Sequence, residues 1–174
     1  MEQEYTISAF SENSIGLLNR ITIIFTRRHL NIESLTVSES SIRGVHKFTI
    51  VVNTTPEKIE NVTKQIDKLV EVLKAFYHTN DEIIQQEIAL YKVPTAALMN
   101  SQEIENLVRN SGARILEITP DYTVIEKTGY KSETNDLFLK LNQWGVSQFT
   151  RSGTVAITKN PKEFLTEYLN EIDY

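Results

Sequence analysis

The sequence predicts an α+β fold in which a β-α-β-β-α-β order of elements occurs twice. Three observations predict it. Residues 13–36 read continuously as loop, amphipathic helix, turn and strand. A second helical stripe, at Ile59, Val62, Ile66, Leu69 and Val70, follows two further strands. The same order then recurs, in looser text, beyond residue 80. At 174 residues and 40% hydrophobic content the chain has the length for two small domains and the apolar mass for their cores.

Taken in order, residues 5–10 alternate as a short strand that stops at Phe10-Ser11-Glu12. Asn13 and Ser14 offer cap oxygens to the orphan N–H groups of a helix predicted over about residues 14–29. Gly16 removes a Cβ at the helix mouth, where another group can approach the backbone. Leu17, Leu18, Ile21, Ile24 and Phe25 fall on one helical face. Arg27, Arg28 and His29 complement the negative end of the helix dipole. Asn31 breaks the helix, and residues 32–39 form a second strand with Leu35 and Val37 on one face. Residues 40–44 are a polar turn ending in Gly44. Residues 45–52 form a third strand, with Phe48, Ile50 and Val52 on one face. Pro56 sits at a helix start, where its missing N–H is harmless. Residues 72–77 return as a fourth strand.

The second half repeats the order. Residues 87–93 are a strand ending at Pro94. A helix over 101–110 starts at the cap candidate Ser101, carries Ile104, Leu107 and Val108 inward, and is closed by Gly112. Residues 113–119 and 122–128 are strands joined at Pro120-Asp121. A helix over 134–144 turns Leu137, Leu141 and Trp144 inward and ends at Gly145. Residues 146–149 and 154–158 are short strands around Arg151-Ser152-Gly153, and a last helix begins at Phe164. The boundary falls near Asn80-Asp81, giving domains 1–80 and 81–174; it is not rich in Gly or Pro, so close packing is expected there.

Composition excludes several chemistries. The chain has no cysteine, hence no disulfide, no thiolate nucleophile and no zinc–thiolate site. Its formal charge of −5 argues against phosphate-backbone binding as the main task. The acidic start Met1-Glu2-Gln3-Glu4 is unlike a secretory signal, and no apolar run reaches membrane-spanning length, which together predict a cytoplasmic protein. No Walker loop, G-x-G-x-x-G or G-x-S-x-G occurs. His29, His46 and His78 are isolated, without ligand-pair spacing; His29 reads as a helix-end cation and the other two as surface strand residues. The carboxylates at Asp81-Glu82, Glu87 and Glu103/Glu105 read as solvated faces.

Repeated β-α-β-β-α-β order is the ferredoxin-like arrangement, an antiparallel sheet with both helices on one face. The other face needs a cover, and a second copy of the chain is the simple one. RNA can lie on such a sheet, but the third strand here carries one aromatic among aliphatic residues in an acidic chain, which favours a protein cover over nucleic acid. The loop 13–18 offers N–H donors at a helix mouth, which suits a carboxylate or a phosphate.

Several stretches resemble a known family, the small regulatory subunit of acetolactate synthase (acetohydroxyacid synthase). They are Glu12-Asn13-x-x-Gly16-x-Leu18-x-Arg20-Ile21, Phe25-x-x-Arg28, and Asn31-Ile-Glu-Ser-Leu-Thr36. Gln65-Ile-x-Lys68-Leu-Val-x-Val72-Leu, Glu87-Ile-Ala-Leu-Tyr-Lys-Val93, Ile118-Thr-Pro120 and Arg151-Ser-Gly153 extend the likeness over nearly the whole chain. The first domain is similar to an ACT domain, a module that binds small amino acids. The resemblance implies an N-terminal ACT domain followed by a C-terminal βαββαβ-type domain, with no catalytic residues and no metal or cofactor in this chain. It implies a partner, the large catalytic subunit, which uses thiamine diphosphate, Mg²⁺ and FAD to condense two 2-oxo acids. The small subunit raises that activity and confers feedback inhibition by a branched-chain amino acid, most often valine, at sites between the ACT domains of a homodimer.

Carried over, Asn13, Ser14, Ile15, Gly16, Leu17 and Leu18 form the effector loop, and Asn31 of the paired chain closes the site. The chemistry agrees: N–H donors hold the carboxylate, amide oxygens of Asn13 and Asn31 take the ammonium, and Ile15, Leu17, Leu35 or Val37 provide an apolar wall. Such a wall discriminates by only about 1–3 kcal/mol per methylene, so valine, leucine and isoleucine are not ranked by it. Two positions depart from the family pattern: Ile15 stands where Ser is usual, and Leu17 where Ala or Val is common. Both are larger. A free-standing ACT-domain sensor acting on another target is the alternative that shares this pocket.

Overall fold

A computed structural model describes residues 1–99, 101–162 and 164–172. The chain divides into two compact units, Met1–Gln85 with the segment from Thr154 onward, and Gln86–Gly153. Each is a βαββαβ unit, as the element order predicted.

The first unit runs β1 (Gln3–Glu12), α1 (Leu17–Thr26), β2 (Ser34–Glu39), β3 (Val45–Thr54), α2 (Pro56–Asp67) and β4 (Val72–Thr79). Its antiparallel sheet has the order β2-β3-β1-β4. Alternate residues Tyr5, Ile7 and Ala9 of β1 and Phe48, Ile50 and Val52 of β3 meet Leu17, Ile21 and Phe25 of α1 and Ile59, Val62 and Ile66 of α2 in one core. Helix α2 starts as expected: Pro56 is at the first helical position, and the Thr55 hydroxyl accepts from the Lys58 N–H. It stops earlier than the apolar stripe suggested. Beyond the Lys68 cap the chain turns, so Leu69 still packs on the core while Val70 is exposed.

The second unit contains most of β5 (Ile83–Pro94), then α3 (Thr95–Met99), α4 (Gln102–Asn110), β6 (Arg114–Ile118), β7 (Tyr122–Gly129), α5 (Lys131–Leu141) and β8 (Gln148–Arg151). Its strands lie in the equivalent order β6-β7-β5-β8. Tyr91, Ile104, Ile125, Leu137 and Leu141 fill the core, and Trp144 packs against it from a 3₁₀ turn, as its apolar spacing required. Gly112 and Gly145 take left-handed conformations behind α4 and the 3₁₀ turn. The short helix α3 was not predicted; five residues are too few to show a period. Glu87 is not on a solvated face. It is buried, accepts a hydrogen bond from Thr134 Oγ1 and lies 3.5 Å from Arg151 Nη1.

The division differs from 1–80 and 81–174 at both ends. The chain changes unit within β5, between Gln85 and Gln86, and the segment from Thr154 returns to the first unit. This segment holds β9 (Val155–Thr158), which pairs with β5, and α6 (Phe164–Ile172). Thr36 Oγ1 donates to the Thr154 carbonyl, the Thr154 N–H donates to Ser34 Oγ, and Lys47 Nζ donates to the Ala156 carbonyl. Leu165 is fully buried against Phe10 and Val45. The outer sheet face is therefore covered in part by the chain's own C-terminal segment, not left for a second copy. That face is mixed, not aliphatic: besides Val45 and Val51 the outer side carries Thr6, Ser8, Phe10, Lys47, Thr49 and His78. No helix among the described residues is long and apolar enough to cross a membrane.

Candidate functional site

The loop between β1 and α1 is built by one backbone choice. Gly16 has φ +83° and ψ −4°, the left-handed region, and it is the N-cap of α1. The helix thus begins at Leu17, three residues later than expected. No side chain caps it, so Asn13 and Ser14 do not serve as caps. The loop instead ties its own backbone: Ser14 N–H donates to the Glu12 carbonyl and Leu17 N–H to the Ser14 carbonyl. The N–H groups of Ile15, Gly16, Leu18 and Asn19 find no acceptor among the described residues. The mouth therefore presents several donors at the positive end of a helix. A Cβ built on Gly16 meets nothing within 4 Å, so the space before it is open.

The flanks are apolar and solvent-facing. Ile15 is 102% exposed, Leu18 46% and Val37 of the edge strand β2 41%. Leu17 points the other way, 1% exposed in the core, so it supplies backbone to the mouth and no wall. Leu35 is half-buried against the same core. Asn13 and Asn31 are both exposed, and Asn31 Nδ2 donates to Glu33 Oε1 at 3.1 Å.

The loop is fastened from behind. Glu12 N–H donates to the Glu71 carbonyl at 2.9 Å, and Arg20, one turn into α1, pairs with the Glu71 carboxylate. The Arg20 hydrogen bond holds the Glu71 carboxyl below the usual range. Glu71 is 51 residues from Arg20, and nothing in the text near either position announces the pair. At the far end, the cations sit beyond the last turn: Arg27 is the cap and Arg28 Nη1 donates to the Ile24 carbonyl. His29, at φ +53°, turns the chain before Asn31 does.

The three histidines remain apart from this site, but His78 is not a surface residue; it is buried on the outer sheet face. Among the described residues no group of three or more His, Asp or Glu is placed to hold a metal ion.

Known proteins match both units. The AHAS small subunit-like ACT domain matches residues 7–74, and the family described as the small subunit of acetolactate synthase matches residues 86–160. The acetolactate synthase small subunit of Bacillus subtilis (strain 168) is 36% identical over 152 residues, covering 87% of this chain and 88% of that protein. The probable acetolactate synthase small subunit of Methanothermobacter thermautotrophicus is 32% identical, covering 91% and 94%. The crystal structure of the acetolactate synthase small subunit from Thermotoga maritima superposes with a TM-score of 0.82 at 31% identity, over 92% of this chain and 99% of that one. With its ACT domain, its second βαββαβ unit and relatives matched along nearly their whole length, the chain belongs to the acetolactate synthase small subunit family.

Proposed function

We propose that this chain is the non-catalytic regulatory subunit of a cytoplasmic acetolactate synthase. It binds and activates the large catalytic subunit, and it confers feedback inhibition by a branched-chain amino acid, with valine the first candidate. The large subunit brings thiamine diphosphate, Mg²⁺ and FAD for the condensation of two 2-oxo acids. The observation that carries the effector reading is the Gly16 mouth: unsatisfied N–H donors at a helix start, flanked by exposed Ile15, Leu18 and Val37. Donors suit a carboxylate, and exposed aliphatic side chains suit a branched apolar one.

In this reading the chain works as a homodimer through its ACT domains. The effector carboxylate meets the N–H groups of Ile15, Gly16 and Leu18, the Asn13 amide takes the ammonium, and Asn31 of the second copy closes the pocket. Ile15, Leu18 and Val37 form the wall. The large subunit prefers one arrangement of the paired ACT domains and the effector prefers the other. Their coupling is worth about 1–3 kcal/mol, or roughly 5–150-fold in affinity.

The test is acetolactate formation by the matching large subunit, with and without this chain, across a valine titration. The expected result is a rise in rate that valine reverses. Gly16→Asp places a carboxylate at the mouth, so it is expected to keep the rise and lose the reversal. Intact inhibition in Gly16→Asp would refute the site. No rise at all would refute the subunit role and favour a free-standing sensor.

A further inference from the structure

We propose that Glu71 is the positioning residue of the Gly16 mouth: without touching the effector, it fixes the loop that does, and so sets the sensitivity of the chain to a branched-chain amino acid. The inference rests on the effector reading above and adds to it a residue from outside the loop.

Glu71 is held in place by the core. It stands in the turn between α2 and β4, between Leu69, which packs on the first core, and Val72, which is buried in it. The Val72 N–H closes that turn on the Leu69 carbonyl at 3.0 Å. A bulge then decides what Glu71 meets. Along β1 and β4 the pairing runs Phe10 with Lys74 and next Ser11 with Val72, so Leu73 has no residue opposite. That one extra residue brings Glu71, instead of Val72, level with Glu12, where the loop leaves β1.

From there Glu71 holds the loop at both ends. At its start, the Glu71 carbonyl accepts from the Glu12 N–H at 2.9 Å. At its end, the Glu71 carboxylate pairs with the Arg20 guanidinium, and the Arg20 N–H donates in turn to the Gly16 carbonyl at 3.2 Å. The loop's own backbone bonds, from Ser14 N–H to Glu12 and from Leu17 N–H to Ser14, close small rings and tie it to nothing else. The direction of the Ile15, Gly16 and Leu18 donors therefore depends on two contacts with one distant residue. Donors that converge on a single carboxylate tolerate little misplacement, so the supporting contacts set how well they work.

The pair is unequal. The Arg20 side chain is 42% exposed and that of Glu71 20%, and Glu71 Oε2 is buried with no partner among the described residues. Removing the carboxylate leaves a guanidinium that water can take. Removing the guanidinium leaves a half-buried carboxylate with neither oxygen met by a side chain, which is the costlier orphan. Arg20→Met therefore disturbs the mouth more than Glu71→Gln.

The test is a valine titration of acetolactate formation by the complex with the large subunit, each variant's inhibition being read against its own uninhibited rate. Glu71→Gln is expected to raise the half-inhibiting valine concentration about tenfold, and Arg20→Met by more. Combining Arg20→Glu with Glu71→Arg is expected to recover sensitivity that each reversal alone loses, a rescue that a merely structural role would not give. In the free chain, the Ser14 and Leu17 amides are expected to exchange faster in Glu71→Gln, with those of β3 unchanged. Parent-like sensitivity in Glu71→Gln, with Gly16→Asp insensitive, would overturn the proposal and leave the mouth standing. A paired reversal no better than the single ones, or unchanged exchange in the loop, would also overturn it. A parent chain that no branched-chain amino acid inhibits would overturn the effector reading itself, and this proposal with it.

Discussion

Replacing Gly16 with alanine separates the backbone contribution of the mouth from its ligand chemistry. At φ +83° an L-residue pays about 1–2 kcal/mol for its Cβ. The unfolded chain of the variant has less freedom to lose, which offsets about 0.4–1 kcal/mol. The added methyl meets nothing within 4 Å, so no steric cost joins these two. The net expectation is a loss between about 0 and 1.6 kcal/mol, or up to about 6 °C in Tm for a chain of this size. Asparagine tolerates the left-handed region, so Gly16→Asn is expected to lose less than Gly16→Ala. Trp144 lies in the second unit, so its fluorescence is a poor reporter of this change. Urea unfolding followed by circular dichroism, with amide exchange in α1, reads the first unit directly. A loss above about 2.5 kcal/mol for Gly16→Ala would refute the open mouth, because strain alone cannot reach it. A gain in stability would refute the left-handed conformation.

Ile21→Ala removes a fully buried side chain of α1 and is expected to cost about 2–5 kcal/mol in urea unfolding, whereas Ile15→Ala, fully exposed, should stay within about 0.5 kcal/mol. The depressed pKa of His78 means the unfolded state binds the extra proton. The first unit should therefore lose stability as pH falls from about 6.5 toward the folded-state pKa, and His78→Gln should flatten that part of the pH profile relative to the parent. Thr134→Val removes the hydroxyl that donates to buried Glu87 and is expected to cost about 1–3 kcal/mol, read as a lower urea midpoint in Trp144 fluorescence. Leu165→Asp places a charge at a fully buried position of α6 and is expected to free the C-terminal segment, read as faster amide exchange and early proteolysis between Thr154 and Phe164.

The fold was legible because its periodicities are local. Leu17, Ile21, Ile24 and Phe25 recur every three or four residues, and Phe48, Ile50 and Val52 every second one; all reach the first core. Boundaries were less legible where a tertiary effect decides them. Leu17 fits the helical stripe, but only the left-handed Gly16 shows why the helix cannot begin at Ser14. Val70 fits the α2 stripe and is exposed because the helix has ended. Glu87 and His78 looked solvated since polar residues usually are; their burial depends on partners 47 and 86 residues away, Thr134 and Phe164. The effector loop was readable as a motif, while its fastening through Glu71 was not, because no local spacing encodes a contact 51 residues distant.

The return of the C-terminal segment changes what a second copy has available. Face-to-face pairing of two first units was the simple expectation for a sheet with one bare side. That side already carries Leu165, Phe164 and the Thr154 clamp, and it holds polar groups that a dry interface would strand. The edge is different. Strand β2 pairs only with β3 among the described residues, and it bears the exposed Val37. An edge strand with one unpaired side can be extended by a second chain without removing the segment. A homodimer of the kind proposed above is therefore expected to meet at β2, not on the sheet face. Asn31, three residues before β2, would in that arrangement stand on the side of the second copy. Under the proposed function, edge pairing and effector closure would be one event, and a ligand of a few atoms could then bias the arrangement of two domains.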